Sequence, residues 1–150
     1  MAEPTVATRV TVRPAGTGDI AAVAGLLAGL QDPPSVRADD DAWGAIIAQP
    51  GRALLIAEID GEPVGTADLI VSPNLTHGAR PHALVENVIV APDRRRDGVG
   101  RALMDEVERR SREAGCYRIQ LLSANPRTWA HAFDEACGYE PSAQGFRRYL

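Results

Sequence analysis

The run Val88-Ile89-Val90-Ala91-Pro92-Asp93-Arg94-Arg95-Arg96-Asp97-Gly98-Val99-Gly100-Arg101 constrains this chain more than any other segment. A β-branched stretch ends at a proline, a basic loop follows, and two glycines open an amphipathic stretch. Val99, Leu103 and Val107 recur at helical spacing, and Gly115 stands beyond Ala114 as a C-cap. The segment therefore reads as strand, loop, helix. A helix start carries amides with no acceptor inside the helix and a partial positive charge, which suits an anion. Gly98 and Gly100 keep side chains away from the backbone there. Arg94, Arg95, Arg96 and Arg101 add cationic charge. A pyrophosphate fits this description.

Two familiar phosphate motifs fail on residue identity. A P-loop needs GxxxxGK(S/T), and no lysine follows either glycine. A dinucleotide fingerprint needs a third glycine where Leu103 stands.

The rest of the chain supplies a frame for the segment. Arg9 to Arg13 alternates like a strand, and Thr17 or Asp19 is placed to cap a helix through Ile20, Val23, Leu26, Leu27 and Leu30. Gln31 to Asp41 reads as a loop, and Asp40 or Asp41 as the cap of a shorter helix carrying Trp43, Ile46 and Ile47. Arg52 to Ile59 and Pro63 to Val71 form a strand pair around the turn signal Asp60-Gly61. Ser72 to Pro81 is a polar loop and Ala83 to Val90 a strongly β-prone run. Tyr117 to Leu122 reads as a strand, Trp129 to Ala136 as a helix, and Gly145 to Tyr149 as a last short strand. The unit from Ala83 to Leu122 should place its two strands in parallel. The reading is α/β (α+β): a mixed, twisted sheet of six to seven strands with about four helices. Residues 1–8 are expected to be a poorly ordered tail, and residues 9–150 one domain.

Bulk properties narrow the function classes. The chain has 150 residues, enough to bury a core without disulfides or a structural metal. Its formal net charge of -4 argues against general nucleic-acid binding, which needs a basic face. The two cysteines, Cys116 and Cys137, form no CxxC pair, so no metal site is expected. No apolar run approaches the ~20 residues of a membrane span, and Met1 to Thr8 has no signal-peptide core. No membrane partner and a cytoplasmic location are the resulting expectations.

The segment Arg95-Arg96-Asp97-Gly98-Val99-Gly100 matches (R/Q)xxGx(G/A) after an apolar strand and a proline. Here the chain resembles the GCN5-related N-acetyltransferase (GNAT) superfamily, and the element order resembles that family from Arg9 to Leu150. Gly115-Cys116-Tyr117-Arg118-Ile119, Ala132-Phe133-Asp134-Glu135 and Gly138-Tyr139 look like the C-terminal half of small-amine members, glucosamine-6-phosphate acetyltransferases among them. The resemblance implies acetyl-CoA as donor and direct attack by a primary amine in a ternary complex. A small-molecule amine is the expected acceptor. A protein lysine or N-terminus is the alternative acceptor, and a non-catalytic acyl-CoA-binding regulatory module the contrasting class. A homodimer is compatible with the family.

The resemblance also implies roles. The strand before the motif would splay from its parallel neighbour, and Val88, Ile89 and Val90 would line the pantetheine arm through their backbone. Amides from Arg96, Asp97, Gly98, Val99, Gly100 and Arg101, with Arg95 beside them, would hold the pyrophosphate. Asn125 would touch the cofactor's far side. A free amine must attack, yet alkyl ammonium ions of pKa ~10 stay protonated near neutrality, so a base helps. Glu86, two residues before Val88, is the first candidate, and the Val88 amide is placed to polarise the thioester oxygen. Family members often place a tyrosine in a pattern like FYE to protonate the thiolate, and here Asp134 occupies that position. An ionised aspartate cannot protonate a thiolate of pKa ~8.5. Tyr117, Tyr149 or water would have to substitute, Tyr139 reads as packing, and His77 and His82 stand as second candidate bases.

Overall fold

The computed structural model describes residues 8–150; residues 1–7, nearly all of the expected tail, lie outside the described residues. The chain divides into two compact units, one ending at Gln120 and one over Leu121–Leu150.

The first unit runs β1 (Val10–Pro14), α1 (Ile20–Leu27), α2 (Asp40–Ala48), β2 (Arg52–Ile59), β3 (Glu62–Ser72), the single turn α3 (Thr76–Ala79), β4 (His82–Val90) and α4 (Val99–Glu113). β5 (Ile119–Leu121) lies at the unit boundary. The sheet order is β1-β2-β3-β4-β5. The first three pairings are antiparallel. The Tyr117 amide donates to the Pro81 carbonyl and the Ala83 amide to that of Arg118, each at 3.0 Å. Partner numbers rise together along both segments, so the approach to β5 is parallel and the sheet mixed, as expected.

Local chemistry explains the joints. Asp60 and Gly61 both adopt positive φ, at 52° and 77°, the conformation that lets a two-residue turn follow the twist of its strands. The cap of α2 is Asp39, not Asp40 or Asp41: its carboxylate accepts from the Ala42 amide at 2.8 Å. Asp19 does not cap α1 with its side chain. It turns back to the Gly16 amide at 2.7 Å and to Arg13, which also pairs with Glu58.

β2 sends alternate side chains into two layers. Leu54 and Ile56 pack with Val23 of α1 and Trp43 of α2. Leu55 and Ala57 are in register with Ala67 and Gly65, on the face that meets α4. There Leu103 and Val107 are fully buried and Val99 nearly so. Each such side chain contributes roughly 1.5–3 kcal/mol through removal from water. Gly65 makes that contact possible. A Cβ at this position would lie 2.8 Å from Val99 Cγ1 and 3.1 Å from the Ile89 carbonyl oxygen. The outer face of α4 carries Glu106–Arg110, Glu108–Arg112 and Arg109–Glu113 pairs at i,i+4 spacing, a modest support for the helix.

The second unit holds α5 (Thr128–Ala136), ended by Gly138 at φ 91°, where glycine is the low-strain choice. Among the described residues the sheet has five strands, not six to seven: Gly145 to Tyr149 forms no strand. Every residue from 141 to 150 is exposed. A strand needs a face to bury, and this segment buries none.

Candidate active site

β4 is not a regular strand. Its register against β3 passes from Asp68↔Glu86 to Thr66↔Ile89, so Asn87 and Val88 together oppose Ala67. Asn87 takes φ 54°, and the strand bulges there. Asparagine tolerates the left-handed region better than most residues with a side chain. This bulge was missed by sequence reading, and its only signal was an asparagine inside a β-branched run. A bulge bends a strand and leaves backbone groups outside the ladder, which supplies edges for an extended guest.

Val90 pairs back onto Gly65, and the Ala91 amide donates to the Val64 carbonyl at 2.7 Å. The chain is thus held to the sheet up to the loop. Pro92–Arg94 then forms one 3-10 turn, closed by the Arg94 amide on the Ala91 carbonyl at 2.9 Å. Arg96 adopts φ 77° and Gly98 φ 78°. Gly98 is the N-cap of α4, and its carbonyl accepts the Ala102 amide at 3.0 Å. Two left-handed residues flanking one position turn successive amides toward a common side, a geometry that suits an anion. The first-turn amides of Val99 and Gly100 extend that surface.

The expected residues fall into distinct roles. Glu86, Val88 and Val90 are half-buried along β4, whereas Ile89 is 8 % exposed and packs toward Gly29. Arg95 and Arg96 are exposed, and so is Arg101, which pairs with Asp105 at 3.3 Å. Asp97 pairs with Arg94 at 3.7 Å. Val99 offers only its backbone, since its side chain is buried under Gly65. The structure therefore brings Glu86, the bulge and the α4 start together on one continuous piece of chain.

Glu86 lies in register with Asp68, which is 3 % exposed. Asp68 is held by Arg52: Nε donates to Oδ1 at 2.9 Å, and Nη2 donates to Oδ2. This hydrogen-bonded partnership pushes the Arg52 guanidinium to still higher proton affinity. The pair was not foreseen from the sequence. Of the two candidate bases among the histidines, His77 is exposed and stacks on Tyr117, ring centroids 3.8 Å apart, while His82 is half-buried at the start of β4. Burial pushes the Cys116 thiol above its ordinary value, which leaves it a poor nucleophile.

In the second unit, Asn125 is an exposed turn residue ahead of α5. Asp134 accepts a hydrogen bond from Ser123 Oγ at 2.8 Å. Tyr139 is half-buried and Tyr149 is exposed.

Fold and site define a class: a mixed α/β protein with a bulged strand that leads into a glycine-capped helix start. The acetyltransferase (GNAT) family model matches residues 23–139, and the chain belongs to that family. It is an N-acetyltransferase of the GNAT type, and the acyl donor of these enzymes is acetyl-CoA. An aminoglycoside N(6')-acetyltransferase type 1 from Stenotrophomonas maltophilia is 32% identical over 137 residues, covering 90% of this chain and 89% of that protein. A solved structure from Agrobacterium tumefaciens, provisionally assigned as an acetyltransferase, superposes with a TM-score of 0.88. It has 34% identity and covers 93% of this chain and 99% of its own. A glucosamine 6-phosphate N-acetyltransferase from Trypanosoma brucei brucei is 39% identical over 64 residues, 43% of this chain and 44% of that protein. Among the described residues, no helix is long and apolar enough to cross a membrane.

Proposed function

We propose that this chain transfers an acetyl group from acetyl-CoA to a primary amine of a small molecule, by direct attack in a ternary complex. One observation carries the reading: Glu86 and the left-handed glycine turn at Gly98 lie on either side of the Asn87 bulge on a single run of chain. The relatives named for aminoglycoside and glucosamine 6-phosphate acetylation point to an amino sugar as the acceptor class.

The residues present fit the donor. Amides from Arg96 to Arg101 and the cationic side chains of Arg95, Arg96 and Arg101 would hold its pyrophosphate. Backbone groups of Val88, Ile89 and Val90, freed or bent by the bulge, would pair with the pantetheine arm. Asn125 would contact the donor's far side. When bound, acetyl-CoA supplies an activated thioester acyl group. Glu86 takes the proton from the attacking ammonium, directly or through a water. The Val88 amide stabilises negative charge on the acyl oxygen. Asp134, already accepting from Ser123, acts as an acceptor and not as a proton donor, so as the C–N bond forms and the C–S bond breaks, the departing thiolate takes its proton from water or a tyrosine, Tyr117 or Tyr149. Residues 9–150 act as one acetyltransferase domain, and the protein works in the cytoplasm. The exposed Trp129, Phe146 and Tyr149 support a homodimer.

The test is thiol release from acetyl-CoA with a panel of amines: an aminoglycoside, glucosamine 6-phosphate, simple alkylamines and a lysine peptide. Turnover of an amino sugar, lost in Glu86→Gln with acetyl-CoA affinity retained, is the expected result. Turnover of the peptide alone would make the chain a protein acetyltransferase. Tight donor binding with no turnover of any amine would make it a regulatory acyl-CoA-binding module.

A further inference from the structure

Glu86, Asp68 and Leu54 form one row across β4, β3 and β2, since Asp68 is in register with Glu86 on one side and Leu54 on the other. Register partners point to the same side of a sheet, here the side on which Leu54 packs under Val23 and Trp43. Directly opposed side chains start about 5 Å apart at Cβ. Arg52 stands two residues before Leu54 on the same face and reaches diagonally to Asp68. A half-buried arginine and two carboxylates therefore share one patch. Their connection is lopsided: the guanidinium is engaged by Asp68 through two nitrogens, and its remaining Nη1 reaches Gln49 Oε1 at 3.1 Å.

The other charged or titratable neighbours of Glu86 are few. α1 (Ile20–Leu27) and the Ala28–Leu30 turn after it carry no ionisable side chain. β5 carries none. α2 contributes Asp40 and Asp41, both exposed. β4 itself carries His82 four residues earlier on the same face. Arg52 is thus the cation that reaches into this row, from β2 with Asp68 standing between it and Glu86, and Asp68 decides where its charge goes.

The geometry points to Asp68 as a positioning residue for the acetyl transfer: it holds the Arg52 guanidinium through two nitrogens and so keeps that charge from turning onto Glu86. The inference rests on the reading of Glu86 as the base. An arginine free to turn toward Glu86 would stabilise its carboxylate and weaken it as a proton acceptor. Arg52 on β2 and Glu86 on β4 stand two strand spacings apart, and two unit charges about 10 Å apart at an effective dielectric near 20 move a titration midpoint by about one unit. A carboxylate locked to Arg52 prevents this and satisfies two of the guanidinium's nitrogens in a half-buried position.

The experiment uses the full chain. The carboxyl carbon of Glu86 is followed by NMR through a pH titration, its signal assigned by its loss in Glu86→Gln. Asp68→Asn is expected to lower the Glu86 midpoint by about one unit or more. The acid limb of the kcat/KM pH profile, measured with the best amine of the panel, should move down by the same amount. Plateau kcat should fall, with acetyl-CoA affinity unchanged. Adding Arg52→Met to Asp68→Asn should return the midpoint and the limb to the parent values, a rescue that a merely structural role of Asp68 would not give. If Asp68→Asn does not fold, Asp68→Ser makes the same change of charge in a smaller side chain. A Glu86 midpoint within about 0.3 unit of the parent in a folded Asp68 variant overturns the proposal, because the expected coupling is several-fold larger. A shifted midpoint in a protein whose Glu86→Gln variant keeps full turnover supports the electrostatic link and sinks Glu86 as the base.

Discussion

Gly65→Ala should loosen the junction that holds the start of α4 to the sheet. Gly65 lies on β3 in register with Val90 of β4, directly beneath Val99. The new methyl would sit 2.8 Å from Val99 Cγ1, 3.1 Å from the Ile89 carbonyl oxygen and 3.2 Å from Leu103 Cδ1. Ordinary carbon contacts are about 3.5–4.0 Å, so the clash with Val99 is roughly an ångström too close. Val99 is β-branched and stiff at χ1, and the Ile89 carbonyl belongs to the sheet backbone. Relief must come mainly from moving the helix. Overpacking of this kind costs about 1–3 kcal/mol. Replacing a glycine recovers about 0.4–1 kcal/mol by restricting the unfolded chain. A net loss of about 1–2 kcal/mol is expected from these two terms. Urea unfolding should show it as a lower midpoint at unchanged slope. Calorimetric titration with acetyl-CoA should show weaker binding, because the amides of Val99 and Gly100 move with the helix start. A variant as stable as the parent with undiminished donor affinity would refute the claim that Gly65 sets the height of α4.

Further outcomes follow from other residues. At Gly98, an added Cβ meets nothing within 4 Å but the backbone sits at φ 78°, so Gly98→Ala should cost about 1–2 kcal/mol of strain in urea unfolding. Gly98→Glu places negative charge at the pyrophosphate position and should abolish acetyl-CoA binding by calorimetry. Asn87→Gly should fold and turn over like the parent, whereas Asn87→Val forces a β-branched residue to φ 54° and should lower both stability and kcat/KM. Asp19, held by Arg13 and the Gly16 amide, has its pKa lowered from 3.8 to about 2. Its folded pKa is depressed, so its contribution to stability is complete above pH 3.8 and is lost as the pH falls toward 2. Asp19→Asn should flatten the stability profile across that acid window when unfolding is measured at several pH values.

The helix start was legible because its signals are local. Gly98 must be glycine for its φ, and Val99, Leu103 and Val107 advertise one buried face by spacing alone. The turn at Asp60-Gly61 was legible for the same reason. Caps were less secure: Asp39, Asp40 and Asp41 are consecutive, and only the direction in which the chain enters α2 selects Asp39. The last strand was misjudged at Gly145 to Tyr149, where alternation exists but no buried face does.

By itself, then, the sequence determined the order of the main elements from β1 to α5 and the glycine-opened helix. These depend on backbone conformation and on periodicity within a few residues. The tertiary structure decided that Asn87 opens a bulge, that Glu86 stands opposite Asp68, and that Arg52 reaches across from β2. Those facts come from the register between strands distant in sequence. A slip of one residue would send Glu86 to the opposite face, and local sequence does not encode that choice. The segment from Val88 to Arg101 marks where the donor should sit, while the neighbours that tune its candidate base come from strands β2 and β3.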